Sequence, residues 1–471
     1  MREITTHYID GAFVAPHGTE ILETFDPVTG QKSGHVVLAD EVDTQTAIAA
    51  ANRALATFSQ TTVEERAALL RAMHKATEAR LDDLIDAMVT EYGGTRQFST
   101  VICEGAVSVF PAVEKALMET EMVRQWNGTT VFYQPVGVAG LITPWNANAL
   151  FLNAKIASAL AAGCTVVAKP SEMSAYQTQV LMECLHEAGV PKGVVNVLSG
   201  RGDVVGATLV QSPDVHKISF TGSAGVGASI MRDGAATMKR VTLELGGKSP
   251  TIVLDDADFS KAIPSGLVNA FLNSGQACAA GTRLLVPNAR MDEARQAIKA
   301  AMEHFPVGLP DDPATAIGPM VSQLQWSRIQ DHIQRGLDAG AVPLVGGLGK
   351  PEGFEDGFFV RPTIFVDVDN SMSIAQEEIF GPVLCVIGYE DEADAIRIAN
   401  DSKYGLHGFV EGSDPERCRR VARQILAGRV AINGMKDDQQ APFGGFKHSG
   451  YGREFGIYGL EAFMEPRALL E

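Results

Sequence analysis

Six cysteines in 471 residues are too few and too scattered for a disulfide framework. Cys103, Cys164, Cys184, Cys278, Cys385 and Cys418 form no CxxC pair, and no cysteine–histidine cluster has metal-site spacing. A reducing cytoplasm suits that composition, and no metal is expected. Basic residues are also short: 39 Lys+Arg stand against 57 Asp+Glu, a net charge of −18. That excludes the basic footprint of a nucleic-acid groove. The longest uncharged stretch, residues 125–154, is broken by Pro135, Pro144, Asn146, Asn148 and Asn153, so it cannot be a spanning helix. The amino terminus carries Arg2, Glu3 and Asp10 without an apolar core, and no secretory leader is expected. What is present is globular: 45% hydrophobic, 20% charged, and long enough for about two to four domains. Glycine is plentiful at 47 residues, which predicts tight turns and close backbone approaches.

Helical spacing dominates the first third, over residues 44–58 and 64–80. From residue 138 short apolar runs alternate with helical stretches. Strands are expected at 138–143, 165–168, 194–198 and 217–221, and helices at 150–161, 174–188 (opened by Ser174), 203–211 and 224–236. Four such units predict a doubly wound parallel sheet of the α/β class. A second alternation (251–254, 260–272, 283–287, 384–389, 393–400, 429–432) predicts a second α/β domain. The Gly-rich tail 442–459 is not a plain helix. Ligands of such sheets lie beyond the carboxyl ends of the strands, so the residues that follow each strand carry the information.

Cys278 lies among small residues in Asn-Ser-Gly-Gln-Ala-Cys-Ala-Ala-Gly, where a substrate and backbone donors can approach the sulfur. A buried structural thiol is the alternative, and it is the reading for Cys164 in its apolar stretch. Glu244, ahead of Leu245-Gly246-Gly247, suits a general base or a plain loop charge. The Asn146 amide suits an oxyanion hole or a turn. Thiol, carboxylate and amide together are the parts of covalent acyl chemistry. Gly200-Arg-Gly202-Asp-Val-Val-Gly206 approaches a dinucleotide fingerprint with its last glycine one place late. Gly222-Ser223 opens a helix suited to phosphate. Lys169 and Glu172 follow a neighbouring strand, where a carboxylate binds ribose hydroxyls and repels a 2′-phosphate.

The chain resembles the aldehyde dehydrogenase superfamily over nearly its whole length. The resemblance rests on Thr-Pro-Trp-Asn (143–146), Ala-Gly-Cys-Thr-Val-Val-Ala-Lys-Pro-Ser-Glu (162–172), Phe-Thr-Gly-Ser (220–223), Glu-Leu-Gly-Gly-Lys-Ser-Pro (244–250), Gly-Gln-Ala-Cys (275–278), Glu-Glu-Ile-Phe-Gly-Pro (377–382) and Pro-Phe-Gly-Gly-Phe-Lys (442–447). It implies that Cys278 is the nucleophile, that Asn146 and the Cys278 N–H hold the oxyanion, and that Glu244 activates water. It implies NAD as cofactor: Lys169 and Glu172 at the adenosine ribose, Ser223 at the pyrophosphate, and Glu378 at the nicotinamide ribose. Phe380 would lie near the nicotinamide, Trp145 would line the channel, and Gly202, Gly222 and Leu245 would be further contacts. It also implies a cofactor domain (1–116 and 136–247), a catalytic domain (248–447), and a small β oligomerisation flap with the tail (117–135 and 448–471).

The activity so implied is oxidation of a small-molecule aldehyde to its acid by a cytoplasmic homo-oligomer, dimer or tetramer, without nucleic-acid or membrane partner. A coenzyme A-acylating semialdehyde dehydrogenase is the alternative enzyme; Glu244 argues against it, because that branch typically lacks this base. A non-enzymatic structural protein on the same fold is the other alternative. The chain departs from many relatives at Ala147, Asn148 and Ala154, where smaller side chains would widen a substrate tunnel. It departs again in the polar loop 433–440, where Lys436, Asp437 and Asp438 either face solvent or touch substrate. No carboxylate-binding arginine stands out.

Overall fold

The computed structural model describes residues 1–470. Local chemistry sets the early helices. Asp40 and Asp43 form a reciprocal capping box at the start of Glu41–Phe58, and Thr62 and Glu65 do the same for Val63–Glu78. The amino-terminal forty residues, to which the sequence assigned no element, form five short strands.

Five parallel strands make the centre of an eight-stranded sheet. Their spatial order is Arg240–Glu244, Lys217–Thr221, Val138–Ile142, Thr165–Lys169, Val195–Val197. The chain leaves Val138–Ile142 toward one edge and returns at Lys217–Thr221 on its other side. The topological switch point therefore lies between these two strands. Their carboxyl ends are level: Ile142 lies opposite both Lys169 and Phe220, and Thr221 opposite Glu244. Antiparallel Gly450–Tyr451 borders one edge and the His7–Ile9/Ala12–Val14 hairpin the other.

The seven-stranded second sheet is parallel apart from Val342–Val345, and includes Pro250–Val253, Arg283–Pro287, Val383–Tyr389 and Arg429–Ile432. A third sheet of three antiparallel strands joins Val123–Trp126 and Thr129–Pro135 to Met464–Leu469. Its hairpin turns at Asn127-Gly128, both at positive φ as a two-residue turn requires.

Two expectations are corrected. Ser174 does not cap the helix Ala175–Glu187: its hydroxyl donates to the Ser171 carbonyl, and the buried Glu91 carboxylate takes the Tyr176 and Gln177 N–H groups instead. The helix expected over 203–211 opens as a π turn, Gly202–Gly206, before Ala207–Gln211. The tail is not a plain helix, as expected: a 3-10 turn and Gly450–Tyr451, docked on the first sheet, precede the short helix Gly456–Glu461. Among the described residues no helix is long and apolar enough to cross a membrane, and no group of three or more His, Cys, Asp or Glu could hold a metal.

Candidate active site

Each residue singled out on the first sheet follows or ends a parallel strand at its carboxyl end. Asn146 stands four residues beyond Ile142, on the approach to the helix Asn148–Ala162. Glu244 ends its own strand, and its carbonyl accepts the Gly222 N–H (3.0 Å). Cys278 comes from the other sheet's side, on the loop between the helix Phe259–Phe271 and the strand Arg283–Pro287.

That loop is forced into shape. Asn273, Ser274 and Gly275 all have positive φ (51°, 58° and 76°), which for the first two side chains costs on the order of 1–2 kcal/mol each. Neighbours hold the conformation. The Tyr92 hydroxyl lies 3.1 Å from Asn273 Oδ1 and 3.1 Å from the Asn146 carbonyl, the Ser274 hydroxyl accepts the Gly318 N–H (2.9 Å), and Gln276 Oε1 accepts the Val321 N–H (3.1 Å). A side chain at Gly275 would meet the Gly381 carbonyl at 2.1 Å. Only glycine there lets the 377–382 segment close on the cysteine loop.

Asn146 and Cys278 are tied by one backbone group. Asn146 Nδ2 donates to the Gln276 carbonyl (3.0 Å), two residues before the thiol. An amide has two N–H donors, so one remains for a ligand. The Gly246-Gly247 pair separates Cys278 from Glu378. A Cβ at Gly247 would lie 2.7 Å from the Cys278 carbonyl, and one at Gly246 would lie 2.0 Å from Glu378 Oε2. The Gly247 N–H donates to Glu378 Oε1 (3.2 Å), and buried Ser449 clamps the turn through the Gly246 carbonyl (2.7 Å). On the far side, Gly444 leaves room for Glu244: its missing Cβ would sit 2.7 Å from Glu244 Oε1.

The electrostatics favour neutral forms at rest. Burial, then Glu378 and Glu244, pushes the Cys278 thiol up to about 12, although its surface is partly open. Burial, then Glu454, raises Glu244 well above the usual carboxylate range, and both its oxygens are buried without a hydrogen-bond partner. Burial raises Glu378 to about 7. A buried carboxyl left unpaired is costly unless something supplies its partner.

The remaining residues singled out in the sequence lie on or near the strand ends of the first sheet and on the 377–382 segment. Lys169 Nζ donates to Glu172 Oε2 (3.1 Å) and to the Gly200 carbonyl (3.0 Å). Ser223 caps the helix Ala224–Gly234, accepting the Val226 N–H (3.4 Å). Gly222 leaves space for the Phe220 ring, and Leu245 covers Gly227 of that helix. Space is open where side chains of Gly202 and Gly225 would stand, so a phosphate can approach the backbone closely. Trp145 and Phe380 meet edge to face (5.8 Å), with Tyr92 against Trp145 (5.3 Å). These features fit a dinucleotide laid across the strand ends, with its reactive end toward Cys278.

Sequence reasoning missed the supports. Tyr92 carried no local signal. Buried Lys155, inside an otherwise apolar helix, was a visible one, since a buried ammonium demands a partner. It pairs with Glu454, and the Ser219 hydroxyl lies 3.0 Å from Glu454 Oε1 and 3.1 Å from Lys155 Nζ. Ala147 and Ala154 are buried, and Ala154 lines a small cavity with Lys155, Ser158 and Phe455. Lys436, Asp437 and Asp438 are exposed, with Asp437 on Arg429 (2.7 Å). Arg429 also donates to the Asp438, Ala441 and Pro442 carbonyls (2.8, 2.6 and 2.9 Å), so it holds the whole polar loop.

Comparison with known proteins gives a consistent result. The model of the aldehyde dehydrogenase family matches residues 13–469. A Staphylococcus aureus protein is 44% identical over 470 residues, which is all of this chain and 99% of that one. Aldehyde dehydrogenase C of Pseudomonas syringae, solved as a cysteine-to-alanine mutant with NAD+ and octanal, is 40% identical; the match covers 99% of this chain and 96% of that one at a TM-score of 0.97. An aldehyde dehydrogenase of Mycobacterium tuberculosis, solved with NAD+, is 39% identical over 100% of this chain and 98% of that one, also at 0.97.

Proposed function

The chain belongs to the aldehyde dehydrogenase family, and from that premise we propose how its residues perform the reaction. It oxidises aldehydes with NAD+ as acceptor through a cysteine. NAD+ supplies the hydride acceptor. The observations that support the site assignment are that the Asn146 amide bonds the cysteine loop with one N–H to spare, and that Glu244, buried and without a hydrogen-bond partner, lies near enough to raise the Cys278 thiol.

Cys278 Sγ forms a bond to the aldehyde carbon as its proton passes to solvent water. The carbonyl π electrons move to oxygen, and the spare Asn146 N–H with the Cys278 backbone N–H stabilises the oxyanion. The oxyanion electrons re-form C=O as hydride departs, leaving a thioester on Cys278. Glu244, a strong base once ionised because its proton affinity is raised, takes a proton from water as the hydroxide oxygen bonds to the thioester carbon. The C–S bond then breaks, and acid and thiol are released. Trp145 and Phe380 exclude water beside the hydride path, and Glu378 holds a ribose. Lys169, Glu172, Gly202, Gly222, Ser223 and Leu245 hold the adenosine and pyrophosphate portions.

Further parts of the assignment follow the family pattern. Residues 1–116 and 136–247 form the cofactor unit and residues 248–447 the catalytic unit. Residues 117–135, which include the Val123–Pro135 hairpin, and the 448–471 tail serve assembly into a cytoplasmic homo-oligomer; Trp126, 71% exposed on that hairpin, supports a subunit contact.

Incubation with a panel of aldehydes and NAD+, with NADH and acid measured with and without coenzyme A, tests the reading. Acid without coenzyme A is expected; a strict coenzyme A requirement overturns the hydrolytic assignment. Cys278→Ala should lose turnover while retaining NAD+ binding, and turnover kept in that variant overturns the nucleophile.

A further inference from the structure

The loop after Val195–Val197 carries an arginine that the cofactor reading does not use. Lys169 Nζ bridges Glu172 Oε2 and the Gly200 carbonyl, so the ribose carboxylate and this loop flank one ammonium. Arg201 is the next residue and precedes the turn Gly202–Gly206. Its guanidinium is committed elsewhere: Nε (2.7 Å) and Nη2 (2.5 Å) both lie on Glu20 Oε1. Glu20 belongs to the amino-terminal arm, and that arm is stitched to the same loop. The Glu20 carbonyl accepts the Leu38 N–H (2.8 Å), and the adjoining Ala39 N–H donates to the Ser199 carbonyl (2.8 Å).

We propose that Arg201 is a latent binding group for a ribose 2′-phosphate, and that Glu20 suppresses it by occupying the guanidinium. The inference rests on the adenosine-ribose assignment of Lys169 and Glu172. A guanidinium fork is the side chain best matched to phosphate oxygens. Here it lies one residue from the carbonyl that holds Lys169. Its side chain and that of Glu20 are 44% and 49% exposed, so the pair can be exchanged for a phosphate without desolvating a charge. Glu20, then Asp203 and Glu172, pull on the guanidinium and hold it above its ordinary range, which sets all three carboxylates around it. A phosphate arriving there meets like charge and a cation already taken. Discrimination against the phosphate therefore has two parts, the ribose carboxylate and the masking of Arg201.

The test is calorimetric titration of the intact protein with NAD+ and with NADP+, in the parent, Glu20→Gln and Glu20→Gln/Arg201→Ala. Glu20→Gln should lower the ratio of NADP+ to NAD+ dissociation constants by about three- to tenfold, an exposed charge effect. The double variant should return the ratio to the parental value. Raised salt should shrink the gain, because the groups are solvent-screened. An unchanged ratio in Glu20→Gln overturns the proposal, as does a gain that survives loss of Arg201. Should Glu172→Ser alter the ratio while Glu20→Gln does not, the adenosine assignment stands and this inference falls. Should the parent bind NAD+ but respond to neither substitution, both fall.

Discussion

Asn146→Ala separates catalysis from architecture at this site. The amide makes one bond in the resting structure, to the Gln276 carbonyl, and that carbonyl also accepts Asn273 Nδ2 at 3.1 Å. Truncation therefore leaves no buried acceptor unsatisfied. The Asn146 carbonyl keeps the Tyr92 hydroxyl, since alanine retains the backbone. The stability cost is that of one hydrogen bond, about 1 kcal/mol. The catalytic cost is larger. Removing one preorganised oxyanion donor typically slows the chemical step 10²–10³-fold, about 2.7–4 kcal/mol. The step affected is thiol addition and hydride loss, so stopped-flow NADH fluorescence should show the first-turnover rate falling by about that factor. NAD+ affinity should stay near parental, because the role proposed for Asn146 is at the reacting carbon and its amide bonds the cysteine loop rather than the Lys169–Glu172 segment. A first-turnover rate within about threefold of parent, less than 0.7 kcal/mol, would refute the oxyanion assignment.

Glu244→Gln should give one NADH per site and then slow turnover, since a neutral amide cannot take a proton from water. In the parent, deacylation should rise with pH through a range above that of ordinary carboxylates, because the raised Glu244 must lose its proton to act; equal slowing of both half-reactions in the variant would assign Glu244 another role. Glu172→Ser should narrow the preference for NAD+ over NADP+ in kcat/KM, and an unchanged gap would remove it as discriminator. Acid stability is set in part by histidines: burial lowers His7, His332 and His407 to about 4 from 6.5. Between these values the unfolded chain binds more protons, so stability is lost as pH falls from about 6.5 to 4, on the order of 2–3 kcal/mol for each. His7→Gln should move the acid-unfolding midpoint, followed by circular dichroism, to lower pH; an unmoved midpoint would clear His7.

Local pattern sufficed for much of this protein. Alternating apolar runs and helical stretches specify a parallel sheet, since each short buried strand must be followed by a crossover helix. That places Asn146, Lys169, Gly222 and Glu244 at strand ends before any contact is known. Capping boxes at Asp40 and Thr62 are equally local. Tertiary structure alone decided the rest. The Ala175–Glu187 helix takes its cap from Glu91, more than eighty residues earlier, which no local rule anticipates. Lys155 announced a missing partner, but only packing supplies Glu454, nearly three hundred residues away. The left-handed turn before Cys278 exists because Tyr92, Gly318 and Gly381 converge on it from distant segments. Composition and periodicity constrain what neighbours along the chain do. The spacing of thiol, amide and carboxyl, and the proton affinities that burial imposes on them, arise only when separate strands bring their ends to one place.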